Sequence, residues 1–254
     1  YLDRRGWNEF FLRNATAKRE GWPLDSWGED TPLPDPFPNS IYNKGRQVTG
    51  GLFLEWGAIP DEREGEMADT RRVNWACEVL KRQHSEPFFL AVGLYAPHFP
   101  NYAPQKYFDL YDAEKIKAPP YKDDDLEDLP PAGKRRGPNR YFAHIRKQKQ
   151  WKQAIQGYLA SIAFADAMIG RVLDALDQGP NRDNTIVIFT ADNGPERYAY
   201  ERVRKFDHRS SGPLRGLKRD IWEGGHRVPF IVRWPGVVKA GTVTDGLMSQ
   251  IDIM

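Results

Sequence analysis

Apolar residues along this chain follow two patterns, one with helical spacing and one with continuous runs. Apolar positions recur every three or four residues over 67–83 and again over 151–177, which predicts two helices. Continuous apolar runs at 88–95, 185–190 and 228–234 predict strands that are buried on both faces. Because strands and helices alternate along the chain, the pattern predicts an α/β fold with a mainly parallel sheet.

Each predicted helix has an apolar face that we expect to be buried. Cys77 falls on this face of the shorter helix and is interpreted as a small core residue. Asp166 falls on the same face of the longer helix, where a hydrogen-bonded structural carboxylate is expected. The apolar residues expected to be buried in the longer helix are Ile155, Tyr158, Leu159, Ile162, Ile169, Val172, Leu173 and Leu176.

Residues 1–66 differ in composition from the rest of the chain. They are rich in Gly, Pro and Trp, and prolines alternate at positions 32, 34, 36 and 38. Neither a helix interior nor a central strand tolerates that spacing of prolines. We therefore predict an extended surface layer over residues 1–66, with one edge strand at 50–56. Residues 67–254 are then predicted to form the α/β domain.

Charge and composition exclude several classes of protein. Among the 254 residues, 37 Lys and Arg oppose 35 Asp and Glu, and the net charge of +2 predicts neither nucleic acid nor an anionic membrane as a partner. No apolar run approaches the roughly 20 residues that cross a bilayer, so no membrane span is expected. A single cysteine excludes an internal disulfide framework and a Cys-rich zinc module.

Polar residues with possible chemical roles follow two of the predicted strands. His98 comes after the run at 88–95, and Asp192 and Asn193 come directly after the run at 185–190. In open α/β sheets, ligands bind beyond the carboxyl ends of the strands. Asp192 and Asn193 offer oxygen ligands of the kind that Ca²⁺ or Mg²⁺ prefers, although a calcium site needs roughly six to eight oxygens. An Asn-Gly turn in which Asp192 caps a helix is the alternative.

A glycine-rich basic segment follows at residues 211–229. Its glycines and prolines indicate a tightly constrained backbone, and Lys218 is a compact cation that suits a phosphate-like or sulfate-like group. The segment is not a Walker loop, because Leu217 separates Gly216 from Lys218. The chain also lacks the G-x-G-x-x-G, H-E-x-x-H and G-x-S-x-G motifs.

Taken in order, these segments resemble the type I sulfatases of the alkaline-phosphatase superfamily, in particular the arylsulfatase, N-acetylgalactosamine-6-sulfatase and iduronate-sulfatase group. The similarity extends over roughly residues 68–254. The segments that carry it are PFFLAVG running into PHFP, YLAS running to Asp166 and Gly170, FTADNGPE, and GPLRGLK running through EGG to WPG.

The resemblance implies a fold, an activity and roles for individual residues. The fold would be alkaline-phosphatase-like, with a mixed, mainly parallel sheet sandwiched between helices. Asp192 and Asn193 match the family's ligands to a divalent cation, usually calcium, and Lys218 matches the lysine that binds the sulfate and stabilises the departing oxygen. His98 matches the histidine that faces the ester near the leaving group. The expected substrate is a sulfate ester on a sugar or polysaccharide, and the expected location is periplasmic, secreted or lysosomal.

The nucleophile of this family is a formylglycine made from the Cys or Ser of a C/S-x-P/A-x-R signature. Cys77 is followed by neither the Pro or Ala nor the Arg of that signature. Ser211 matches S-x-P-x-R, but it lies in the lysine segment, where the family has no nucleophile. We therefore expect the formylglycine to lie outside this chain. The chain would then be the central part of a catalytic domain, truncated at both ends and inactive alone.

Two other functions fit the same residues. One is a phosphoryl-ester hydrolase or transferase of the same superfamily, which would differ in its nucleophile. The other is a non-catalytic relative that binds sulfated glycans through His98, Lys218 and surface aromatic residues. The sequence leaves the oligomeric state open.

Overall fold

The structure, a computed structural model, describes residues 7–11, 42–43, 46–47, 56–98, 101–119, 124, 127–134, 145–146, 149–195, 210–246 and 248–253. The chain divides into two compact units, Tyr1–Pro180 and Asn181–Met254. The strands are β1 (Tyr42–Asn43), β2 (Arg46–Gln47), β3 (Trp56–Ile59), β4 (Asn101–Pro104), β5 (Val187–Thr190) and β6 (Phe230–Arg233). The helices are α1 (Ala68–Leu80), α2 (Gln105–Phe108), α3 (Pro131–Lys134), α4 (Trp151–Asp177) and α5 (Glu223–His226), with 3₁₀ turns at Asp61–Glu66, Arg182–Asn184 and Gln250–Ile253.

The core of the first unit forms around a parallel pair of strands. β3 pairs with β4 in a register that places Trp56 opposite Asn101 and Ile59 opposite Pro104. Helix α4 packs against both strands, and α1 packs against α4. The separate pair β1–β2 is antiparallel. The buried residues that form the main core are Ile59, Met67, Val73, Tyr102, Ala103, Phe108, Ala160, Phe164 and Met168.

The two long helices confirm the prediction made from helical spacing. Helix α1 lies within the predicted 67–83, and α4 has the predicted bounds. The described residues combine helices with strands and include a parallel pair, which confirms the α/β class. The part of the chain that the structure describes contains no helix with the length and apolarity of a membrane span.

The buried face of α4 matches the prediction only in part, because Leu176 is buried as predicted whereas the other predicted residues are half-buried or exposed. Tyr158 is 47% exposed, Ile162 is 39% exposed, and Asp166 is exposed instead of serving as a buried structural acid. The physical reason is close approach, because small residues let the helix backbone lie directly against β3. A Cβ added to Gly157 would stand 2.7 Å from Cβ of Trp56. The residues that α4 buries are Gly157, Ala160, Ser161, Phe164, Ala165, Met168 and Leu176.

Two glycines of α4 provide a matched test of this packing. Gly157→Ala is expected to destabilise the protein by about 1–2 kcal/mol, because overpacking against Trp56 outweighs the better helix propensity of alanine. In Gly170→Ala, the added Cβ meets no atom within 4 Å. This substitution is expected to stabilise the protein by about 1 kcal/mol. Urea unfolding of both variants measures the two changes. Shifts of the same sign would contradict this account of the helix face.

The run at 88–95 was predicted to be a central strand, and that prediction is wrong for the described structure. The segment carries no strand pairing, and Phe89 is 62% exposed. The backbone N–H groups of Tyr95 and Ala96 donate to the side-chain carboxylate of Asp69 instead of to a neighbouring strand. The apolar run could not reveal this, because the competing acceptor lies in a separate helix.

The second unit contains the other two predicted strands. β5 and β6 confirm the strands predicted at 185–190 and 228–234, and they pair in antiparallel register from Val187 opposite Arg233 to Thr190 opposite Phe230. They are not buried on both faces, because the cross-strand partners Phe189 and Ile231 are both exposed.

The predicted boundary at residue 66 stays a prediction. Trp56–Ile59, which falls within the predicted surface layer, forms a largely buried strand. Residues 50–55 of the predicted edge strand lie outside the described residues.

Candidate active site

The turn at residues 192–195 follows β5 and is joined by hydrogen bonds to residues 215–225, which we call the lysine loop. The backbone N–H of Gly194 donates to the carbonyl of Gly225 over 2.8 Å. The backbone N–H of Lys218 donates to the carbonyl of Pro195, also over 2.8 Å. The second unit therefore brings the Asp192–Asn193 pair and Lys218 together, although 24 residues separate Asn193 from Lys218 in the sequence.

Glycine is required where the turn meets the lysine loop. A Cβ on Gly194 would stand 1.9 Å from the carbonyl oxygen of Gly224, and one on Gly224 would stand 2.2 Å from that of Gly216. Both separations are far below van der Waals contact, so any side chain would force the backbones apart. Gly216 also has φ of +89°, a conformation that favours glycine. The glycine-rich spacing in the sequence thus reflects direct packing of backbone against backbone.

Local hydrogen bonds fix the backbone around Lys218. Leu217 is buried, and its N–H donates to the carboxylate of Asp220 over 3.1 Å, while the N–H of Asp220 returns to the carbonyl of Leu217 over 2.8 Å. Arg219 has φ of +79°, in the left-handed region that non-glycine residues rarely adopt. The side chain of Lys218 is half-buried. The loop therefore presents this cation from a constrained backbone.

Sequence reasoning missed Asp220 and the ring contact between Arg215 and Trp222. The guanidinium carbon of Arg215 lies 3.8 Å from the centre of the Trp222 ring, as in a cation–π contact. Asp220 acts through a hydrogen bond three residues back in the chain, a short-range turn that its spacing could have suggested. The Arg215–Trp222 contact depends on the path of the loop and leaves no comparable signal in the sequence.

Asp192 and Asn193 suit a hard divalent cation by their donor chemistry. Asp192 is exposed, and the side-chain N–H of Asn193 donates to the carbonyl of Gly194 over 2.9 Å. This bond uses the nitrogen of the amide and not its oxygen. Within the described residues, no group of three or more His, Cys, Asp or Glu could hold a metal. Two side chains would supply only part of the roughly six to eight oxygens that a calcium site needs. The alternative role of Asp192 as a helix cap concerns residues after 195 that lie outside the described ones.

His98 belongs to the first unit, at the end of a turn formed by residues 95–98. Its N–H donates to the carbonyl of Tyr95 over 2.9 Å, and its ring centre lies 4.8 Å from that of Tyr95. The side chain is exposed. Two buried residues that sequence reasoning missed, Asp69 and Asn101, hold this turn. The signal for Asp69 was available, because it lies four residues before Val73 on the buried face of α1.

Neither Cys77 nor Ser211 has the surroundings of a nucleophile. The Cys77 thiol donates to the carbonyl of Arg171 over 3.6 Å and packs against the core, and burial raises its pKa. A thiol with a raised pKa stays protonated at neutral pH, whereas the thiolate is the reactive form. The Ser211 hydroxyl donates to the carbonyl of Leu214 over 3.1 Å and so stabilises its own turn. The interpretation of Cys77 as a core residue is confirmed.

Comparison with known proteins gives one family and several relatives. The model of the Sulfatase family matches residues 3–254. A sulfatase of Formosa agariphila is 37% identical over 224 residues, which cover 86% of this chain and 40% of that protein. An N-acetylgalactosamine-6-O-sulfatase of Bacteroides thetaiotaomicron is 45% identical over 94 residues, 35% of this chain and 18% of that protein. The solved structure of Ps i-CgsB in complex with k-i-k-neocarrahexaose aligns with a TM-score of 0.41 at 22% identity, over 89% of this chain and 36% of that one. The chain thus spans less than half the length of each of these proteins.

Proposed function

Since this chain belongs to the sulfatase family, we propose that the protein is a sulfuric ester hydrolase that acts on a sulfated sugar or polysaccharide. The observation that carries the proposal is the joint between the 192–195 turn and the lysine loop. Its backbone hydrogen bonds join the turn that carries Asp192 and Asn193 to the loop that carries Lys218, which supports a shared role for these residues. The proposal that the substrate is a sugar is supported by the relative named an N-acetylgalactosamine-6-O-sulfatase.

We assign to Lys218 the role of binding the sulfate group. Hydrolysis breaks the ester bond and leaves negative charge on the departing oxygen, while the sulfate itself is already an anion. A fixed ammonium group stabilises both charges, and it does so most where the charge grows in the transition state. The constrained backbone on both sides of Lys218 supports this role, since preorganised charges cost little reorganisation during the reaction.

Asp192 and Asn193 are proposed to hold a divalent cation, most consistent with Ca²⁺, through a carboxylate and an amide oxygen. When bound, such a cation supplies positive charge that polarises the sulfate ester. We propose that the remaining ligands and the formylglycine nucleophile lie outside this chain. His98 is assigned a place beside the leaving oxygen. A location outside the cytoplasm, whether periplasmic, secreted or lysosomal, is part of the same proposal.

The test compares two esters with the same leaving group. Initial rates on 4-nitrophenyl sulfate and 4-nitrophenyl phosphate are measured with the full-length protein, produced together with a formylglycine-generating enzyme. The protein is then depleted of metal with EGTA and reloaded with Ca²⁺. We expect hydrolysis of the sulfate ester that is lost on depletion and restored by Ca²⁺, because the cation supplies part of the charge stabilisation.

Two results would overturn the proposal. Faster hydrolysis of the phosphate ester would identify a phosphoryl-ester hydrolase of the same superfamily. Calorimetry with a sulfated sugar that reports tight binding without turnover, independent of Ca²⁺, would identify a glycan-binding relative instead.

A further inference from the structure

We propose that Asp69 is a positioning residue for His98, an inference that rests on the role proposed for His98 in ester hydrolysis. Asp69 lies in the first turn of α1 and is only 5% exposed. It makes no contact with substrate on this proposal. It acts by holding the backbone of the 95–98 turn from which the His98 ring projects.

The carboxylate of Asp69 binds two consecutive backbone N–H groups of that turn. The N–H of Tyr95 lies 3.0 Å from each carboxylate oxygen, and the N–H of Ala96 lies 2.8 Å from Oδ2. Arg72, one turn along α1, also pairs with the carboxylate. Hydrogen bonds to an ionised acceptor are about twice as strong as neutral ones. Asp69 is therefore bound at once to its own helix and to the turn.

Asn101 holds the same turn from the other side. It is fully buried at the start of β4, where it stands opposite Trp56 in the parallel pair. Its side-chain N–H donates to the carbonyl of Pro97 over 2.9 Å. Residues 95 and 96 are thus attached to a helix, and residue 97 is attached to a strand. The His98 N–H then closes the turn on the carbonyl of Tyr95.

This double attachment holds the backbone from which the His98 ring projects. The rings of Tyr95 and His98 have centres 4.8 Å apart and are tilted by 45°. Because Asp69 binds the backbone of Tyr95 itself, releasing that bond frees both rings together. A carboxylate that served only α1 would have no reason to accept from residues 26 and 27 positions away.

The test uses Asp69→Ala and the milder Asp69→Asn, with Glu78→Gln as the control. Glu78 is an exposed carboxylate of the same helix, and it pairs with Lys81 three residues along the helix. In Asp69→Ala, we expect the amides of Tyr95 and Ala96 to exchange with solvent about tenfold faster or more. We also expect the nuclear Overhauser contacts between the Tyr95 and His98 rings to weaken. The turnover number on the sulfate ester should fall by about 10²-fold, since small displacements of a reacting group have effects of that size.

The outcomes separate this inference from the function on which it rests. If Asp69→Ala unfolds the protein, Asp69→Asn is the variant to measure. Its amide keeps the size of the side chain and one acceptor oxygen, but its NH2 group cannot accept a hydrogen bond, so the turn loses at least part of its attachment. Unchanged exchange and ring contacts in the folded variant would overturn the positioning role, whatever the activity. If exchange and ring contacts change while both Asp69→Asn and His98→Gln keep full turnover, the positioning stands and the proposed role of His98 fails.

Discussion

A Gly194→Ala variant is expected to lose the joint between the 192–195 turn and the lysine loop. The added Cβ would stand 1.9 Å from the carbonyl oxygen of Gly224 and 2.9 Å from its carbon, and both are backbone atoms that no side-chain rotation can move away. The turn must therefore shift, and the hydrogen bond from Gly194 to Gly225 is lost with it. Overpacking together with this lost bond is expected to destabilise the protein by about 3 kcal/mol.

Gly246→Ala is the matched control for that substitution. Gly246 lies in the same unit, has no positive φ, and its added Cβ would meet only a side-chain oxygen at 3.4 Å. Denaturant unfolding gives the loss of stability, and hydrogen exchange of the Gly194 and Lys218 amides locates it. If these amides exchanged at the same rates in Gly194→Ala and in the control, the result would contradict the proposed dependence of the joint on Gly194. Full affinity for Ca²⁺ in Gly194→Ala would argue that the pair Asp192–Asn193 does not depend on the loop.

Lys218→Ala is expected to lower kcat/KM for the sulfate ester by about 10²–10³-fold, the effect of removing one preorganised group that stabilises transition-state charge. The fold should survive, because the hydrogen bond to Pro195 comes from the backbone N–H of Lys218 and not from its side chain. A loss in kcat would indicate stabilisation of the departing oxygen. A rise in KM alone would indicate that Lys218 only binds the sulfate.

Lys239→Ala is the control for the loss of a positive charge. Lys239 is an exposed lysine of the same unit, and its contact with Thr242 uses the backbone carbonyl, which alanine retains. We expect its kcat/KM to stay within about threefold of the unmodified protein, because interactions between exposed charges are largely screened. If Lys218→Ala behaved like this control, Lys218 would have no role in the site.

The two long helices could be predicted from the sequence because their period is local. In α4 the three-and-four spacing identified the helix and its bounds, yet of the residues predicted to be buried only Leu176 is fully buried. Apolarity predicted that Tyr158 and Ile162 would be buried, whereas the structure buries the smaller residues Gly157 and Ala160. Helix contact with β3 depends on how closely two backbones approach, and a glycine carries that information only when its partner, Trp56, is known.

The candidate site divides in the same way. Asp192, Asn193, Lys218 and His98 could be chosen from residue type, strand ends and family resemblance, and their roles stay proposals. The supporting residues Asp69, Asn101 and Asp220 were missed. Each acts through hydrogen bonds to the backbone of a turn, which for Asp69 are bonds from two N–H groups, so its importance depends on the conformation of that turn.

By itself, the sequence determined the α/β class and the positions of the long helices and of two strands, and it supplied the candidate site residues whose roles stay proposals. These follow from short-range periodicity, turn chemistry and motifs, which are visible in the amino-acid sequence itself. Only the tertiary structure decided that the run at 88–95 is unpaired and that the N–H groups of Tyr95 and Ala96, at its end, bind the buried carboxylate of Asp69. The same holds for the hydrogen-bonded joint between the 192–195 turn and the lysine loop. Both outcomes depend on hydrogen-bond partners and steric contacts that are distant in sequence, and these groups meet only when the chain is folded.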